Sequence, residues 1–168
     1  MSFNHKHLID LGEYSKEDIT TLLQTARNFK QVNERRIKQV PTLKGATIVN
    51  MFNEPSTRTR SSFEIAEKRL SANSLNFGGS STSVAKGESL SDTVETLCAY
   101  KIDLIVVRDS HAGVPRKIAD LSGVSVIDAG DGKHQHPTQA LLDLYSIWAC
   151  YEDFNDLKVG IVGDISHS

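Results

Sequence analysis

Ser56-Thr57-Arg58-Thr59-Arg60 sets three hydroxyls and two guanidinium groups within five residues. Those types at that spacing suit the capture of a phosphate dianion. The run follows an apolar, strand-like stretch and opens a helix-like one. At such a junction the helix's first N–H groups lack partners and its positive dipole end is exposed, so the hydroxyls and guanidiniums would complete an anion socket. Pro55 fits just before the first turn, where a missing N–H costs little. The competing reading is a plain N-cap with solvated arginines. Two arginines at i and i+2 around the hydroxyls favour the socket.

Three further places hold residues with chemical potential. Arg108 ends the apolar run Ile105-Val106-Val107, where it either pairs with the adjacent Asp109 or faces a ligand. His136-Pro137-Thr138-Gln139 opens a helix-like segment with Pro137 suited to its first position. His136 and Gln139 are three apart and share a face, offering donors and an amide acceptor to a small planar group. Lys86-Gly87-Glu88-Ser89 closes a stretch of Gly, Ser and Thr from Gly78 to Gly87 that reads as a mobile loop. Taken alone, Lys86 is a solvated loop lysine, and Glu88 and Asp92 are first-turn acids that complement a helix dipole. No dinucleotide fingerprint, P-loop or nucleophile elbow is present. The six histidines lack Cys or carboxylate partners at ligand spacing, so neither a metal nor another cofactor is implied. The chemistry that remains is transfer without a covalent intermediate, by positioning and by stabilising developing charge.

The elements around these residues explain how they could meet. Strand-like runs at Ala46–Phe52, Ser74–Phe77, Leu104–Val107, Ser125–Ile127 and Lys158–Val162 alternate with helix-like runs at Thr59–Leu70, Ser89–Tyr100, Pro115–Leu121 and Pro137–Tyr151. A helix capped by Ser15 precedes them, and Lys30 to Lys44 reads as helix end plus loop. The alternation predicts an α/β fold: an open parallel sheet of about four to five strands with helices on both faces, in three layers. Binding groups in such sheets gather beyond the strands' carboxyl ends. That rule collects Ser56 to Arg60, Arg108, and the Asp128-Ala129-Gly130-Asp131-Gly132 segment leading to His136 and Gln139 at one rim.

Bulk composition narrows the function. The chain has 168 residues, 39% apolar and 24% charged, and 19 basic against 21 acidic residues give a net charge of −2. That balance disfavours a nucleic-acid binder. No run is long and apolar enough for a bilayer, and the first residues lack a signal-peptide core. The two cysteines, Cys98 and Cys150, read as small buried hydrophobes in a reducing compartment, which suggests the cytoplasm.

Three segments together resemble aspartate carbamoyltransferase: Phe52 through Glu64, Lys86 through Thr93, and Gly130-Asp131-Gly132 with His136 through Asp143. The resemblance runs in order over nearly the whole chain and corresponds to the amino-terminal, carbamoyl-phosphate-binding half, here residues 1–168. The Ser-Thr-Arg-Thr-Arg and His-Pro-x-Gln motifs also suit ornithine carbamoyltransferase, whereas the Lys-Gly-Glu loop and the Gly-Asp-Gly run favour the aspartate enzyme. The resemblance implies transfer of a carbamoyl group to the amine of L-aspartate in pyrimidine biosynthesis. Ser56, Thr57, Arg58 and Thr59 would hold the phosphate, Arg108 and His136 would polarise the carbamoyl oxygen, and Gln139 would hold the carbamoyl nitrogen. Lys86, with a hydroxyl such as Thr82, would enter a neighbouring subunit's site in a homotrimer. An aspartate-binding second domain is expected beyond Ser168, so this chain alone should bind carbamoyl phosphate weakly and turn over poorly. Regulatory subunits are left open. A non-catalytic anion-binding domain and a trimerisation domain are the alternatives from other classes.

Overall fold

The computed structural model describes residues 3–78 and 89–163. Ser15 starts the first helix, α1 (Lys16–Asn33), with reciprocal bonds: its hydroxyl accepts from the Asp18 N–H, and the Asp18 carboxylate accepts from the Ser15 N–H. This is the capping box the sequence suggests. There follow β1 (Thr47–Phe52), α2 (Thr57–Arg69), β2 (Asn73–Phe77), α3 (Leu90–Ala99), β3 (Leu104–Asp109), α4 (Val114–Ser122), β4 (Ser125–Asp131) and α5 (Pro137–Tyr151).

The four strands form one sheet in the order β2-β1-β3-β4, and every pairing is parallel. The two central strands read Thr-Ile-Val-Asn-Met-Phe and Leu-Ile-Val-Val-Arg-Asp, near-continuous apolar runs because both of their faces are covered. Strand alternation splits the core. Val49, Met51, Ile105, Val107 and Val126 pack with Val94 and Leu97 of α3 and Ile118 of α4. Ile48, Phe52, Val106 and Ala129 face the other way, with Phe63 of α2 packed against them. Arg108 keeps the parity of Val106, so it emerges on the α2 side of the sheet. Beneath that helix, buried Asn50 donates its side-chain amide to buried Glu67 at 3.0 Å, tying α2 to β1.

Three expectations need correction. Lys158–Val162 is not a strand. Val159, Ile161 and Val162 are 65%, 79% and 98% exposed. A strand requires a ladder partner, and the free edge of β4 is already occupied: Leu8 donates to Val126 O and accepts from the Asp128 N–H, both at 2.8 Å. β4 itself continues past Ile127 to Asp131, with a register shift between Val107 and Asp109. Both cysteines are free, but only Cys98 is partly covered, whereas Cys150 is exposed on α5. Among the described residues, no helix is long and apolar enough to cross a membrane.

Candidate active site at the sheet's carboxyl rim

An open cavity of about 630 Å³ lies where β1 and β3 end and α2 and α5 begin. Ser56, Arg58, Thr59, Arg108, His136 and Gln139 all line it, as does Thr138. Residues 80 positions apart in sequence are thus brought to one rim by the parallel topology. Ser56 is the N-cap of α2, yet its hydroxyl bonds the Thr59 hydroxyl at 2.9 Å and does not cap the helix. Among the described residues the first N–H groups of α2 therefore have no side-chain acceptor and remain available to an anion. Thr57 is the first helical residue, and its side chain is not among those lining the cavity.

The two arginines of the opening motif part ways. Arg58 lines the cavity. Arg60 is half exposed and turns to Glu64, 3.5 Å away, as an i,i+4 pair. Two residues along a helix rotate the side chain by roughly 200°, so i and i+2 cannot serve one pocket.

Arg108 is held from several sides. Its Nη2 donates to Glu54 Oε1 at 2.8 Å and its Nη1 to the Ala129 carbonyl at 3.1 Å. Its Nε is buried without a partner among the described residues. The neighbouring Asp109 does not pair with it. That carboxylate instead accepts from the Asn53 amide and the His111 N–H, each at 2.8 Å. Gly130 sits directly behind the guanidinium with φ +132, and a Cβ there would lie 2.5 Å from Nη1. Only glycine permits that approach.

His136 precedes α5 and its Nδ1 lies 3.3 Å from the Thr138 hydroxyl. Burial holds its pKa below the usual 6.5 and nearby Arg108 lowers it further, with Glu54 and Asp143 opposing. The imidazole is therefore neutral at pH 7, with one N–H to donate. Gln139 donates its amide to Asp143 at 3.0 Å, which leaves its carbonyl oxygen as the open acceptor. Lys86, Thr82 and Glu88 lie outside the described residues. Glu54, Thr138 and Gly130 were missed as site residues. Glu54 carried a signal: it is a carboxylate in the turn directly after β1.

A second cavity, of about 430 Å³, lies between α1, α2 and α5 and is lined mainly by apolar groups such as Phe29, Val32, Ile65 and Leu70. It has no convergent set of polar donors comparable with the rim.

Residues 6–149 match the family model for the carbamoyl-P binding domain of aspartate/ornithine carbamoyltransferases. The chain belongs to that family. Over all 168 residues it is 53% identical to the aspartate carbamoyltransferase catalytic subunit of Syntrophotalea carbinolica. It is 52% identical to that of Geotalea uraniireducens, and it covers 54% of each. The catalytic subunit of M. jannaschii aspartate transcarbamoylase superposes with a TM-score of 0.80 at 43% identity, over 88% of this chain and 48% of that one. Aspartate transcarbamoylase from Trypanosoma cruzi in complex with carbamoyl phosphate gives 0.80 at 32%, over 86% and 46%. The chain therefore spans about half the length of the relatives it matches.

Proposed function

We propose that this chain supplies the carbamoyl-phosphate half of an aspartate carbamoyltransferase active site, for the step that makes N-carbamoyl-L-aspartate in pyrimidine biosynthesis. The observation that carries the reading is the convergence of Arg58, Arg108 and His136 on one cavity at the uncapped N-terminus of α2. The phosphate takes the free N–H groups of α2 with the hydroxyls of Ser56 and Thr59 and the charge of Arg58. Thr57 contributes through its backbone. Arg108 and the neutral His136 donate to the carbamoyl oxygen, where negative charge grows as the amine nitrogen of aspartate attacks the carbonyl carbon. The carbamoyl N–H groups donate to the Gln139 carbonyl oxygen. A C–N bond forms and the C–O bond to phosphate breaks, and the amine proton passes to the departing phosphate oxygen, so that phosphate leaves as the hydrogen phosphate dianion against Arg58. Glu54 offsets the Arg108 charge until the ligand arrives.

Aspartate binding falls to a second domain, and Lys86 with Thr82 reaches a neighbouring subunit's site in a homotrimer. The setting is the cytoplasm. The family description includes the ornithine enzymes, while the relatives named above are aspartate carbamoyltransferases.

Calorimetric titration of the chain with carbamoyl phosphate and with inorganic phosphate tests the reading. Carbamoyl phosphate should bind more tightly, and Arg58→Ala and Arg108→Ala should each weaken it. Equal affinity for the two ligands would make the site a generic anion binder and contradict the proposal.

A further inference from the structure

Two of the three groups that hold Arg108 belong to the end of β4: the Ala129 carbonyl, which accepts from Nη1 at 3.1 Å, and Gly130, whose bare Cα backs the guanidinium. The backbone there is irregular, with a register shift against β3 and a φ of +132 at Gly130. Asp128 fixes it. This side chain is fully buried, and its Oδ1 accepts from the Gly130 N–H at 2.8 Å, an Asx-type turn inside the strand. Its own N–H is anchored on the Leu8 carbonyl. Without that carboxyl, the Gly130 N–H would be a buried orphan, and the segment that aims Arg108 would lose its internal brace. We propose that Asp128 is a positioning residue for Arg108, setting the place and the grip of the guanidinium through Gly130 and the Ala129 carbonyl. This rests on the reading of the rim as a carbamoyl-phosphate site.

The state of the carboxyl gives the brace a second property. Asp128 Oδ2 is buried with no partner among the described residues. Burial above all, with Asp131 adding, raises its pKa to about 7, while the Gly130 N–H, His134 and Arg108 oppose the rise. The charged groups around it are Asp131 and His134 on its own strand and turn, and Arg108 on β3. Asp131 is itself held by the Gly113 N–H and His134 Nδ1. On α4, Arg116 pairs with Glu13, Arg116 and Asp120 bear on His7, and Lys117 is exposed. The acids of α3, Asp92 and Glu95, are exposed. Below about pH 7 Asp128 is a neutral brace, and above it a carboxylate stands behind Arg108. That negative charge attracts the guanidinium inward and subtracts from the field that holds an incoming dianion.

The test follows the Arg108 Nε–H resonance of the ¹⁵N-labelled chain through a pH titration, in wild type, Asp128→Asn and Asp128→Ala. Asn keeps an acceptor for the Gly130 N–H and removes the charge, so it should keep the brace that Ala removes. Wild type should show a transition centred near pH 7. Asp128→Asn should show none, and Asp128→Ala should displace the resonance at every pH. In parallel, carbamoyl phosphate should bind several-fold more weakly on the alkaline side of that transition in wild type but equally on both sides in Asp128→Asn. An Arg108 resonance indifferent to both substitutions, or a transition that persists in Asp128→Asn, overturns the inference. Burial holds the His136 pKa below the usual 6.5, which separates it from a transition near pH 7. A chain that bound no carbamoyl phosphate at any pH would instead refute the functional reading, while the Arg108 resonance would still decide the coupling.

Discussion

Gly130→Ala perturbs the proposed site with one methyl group. The added Cβ would stand 2.5 Å from Arg108 Nη1, 3.1 Å from Cζ and 3.4 Å from Cγ, so the guanidinium must move by about an ångström to reach ordinary contact. The backbone adds strain, since φ at this residue is +132, a region that costs an L-residue on the order of 1–3 kcal/mol. Moving Arg108 also breaks its bond to the Ala129 carbonyl, and a hydrogen bond to a charged group is worth about 1.5–3 kcal/mol. Together these predict a stability loss of roughly 2.5–6 kcal/mol. At about 2–4 °C per kcal/mol for a chain of this size, the melting point should fall by roughly 5 °C at the least. Carbamoyl phosphate affinity should fall by about 10-fold or more, because a charged donor is lost from its place. Gly123→Ala is the control: its φ is +67, but nothing lies within 4 Å of the new Cβ. It should show backbone strain alone, with affinity unchanged. The assays are thermal unfolding and calorimetric titration of both variants. If Gly130→Ala melted and bound like Gly123→Ala, the close approach of Arg108 to β4 would be wrong.

The other expectations concern the remaining rim residues. Arg58→Ala should weaken carbamoyl phosphate binding by about 10–150-fold, the value of a charged hydrogen bond. Arg60→Ala should change it less than about twofold, since an exposed i,i+4 pair is worth only a few tenths of a kcal/mol. Equal losses would mean that the helix does not separate the two side chains. His136 has a depressed pKa in the folded chain, so the unfolded state binds more protons just below pH 6.5. Its contribution to stability is therefore fully present above 6.5 and declines as pH falls through the lower folded value. Melting curves should show His136→Asn losing less stability than wild type on acidification. An identical pH slope in the two proteins would place the imidazole in solvent.

Much of this was written in local sequence. The central strands β1 and β3 are buried on both faces, so Ile48 to Phe52 and Leu104 to Val107 stand out as apolar runs. Ser15 and Ser89 mark helix starts through capping bonds that depend on residues three positions away. The proposed socket stood out in sequence because a strand-to-helix junction places hydroxyls, arginine and N–H groups within one turn. What local pattern could not supply was partnership. Lys158–Val162 has strand-like side chains, but a strand exists only against another, and β4's edge belongs to Leu8. Arg108 was ambiguous for the same reason: its choice of Glu54, 54 positions away, over adjacent Asp109 is made by the register of β1 against β3. Asp128 reads in sequence as one more polar residue of a glycine turn. Its complete burial follows only from the extension of β4 beneath the rim.

The most direct measurement is a crystal structure of the chain grown with carbamoyl phosphate. The phosphate should sit on the N–H groups at the start of α2 within hydrogen-bonding reach of Arg58, with the carbamoyl oxygen between Arg108 and His136. A phosphate bound elsewhere, with the rim cavity empty in a saturated crystal, would contradict the account.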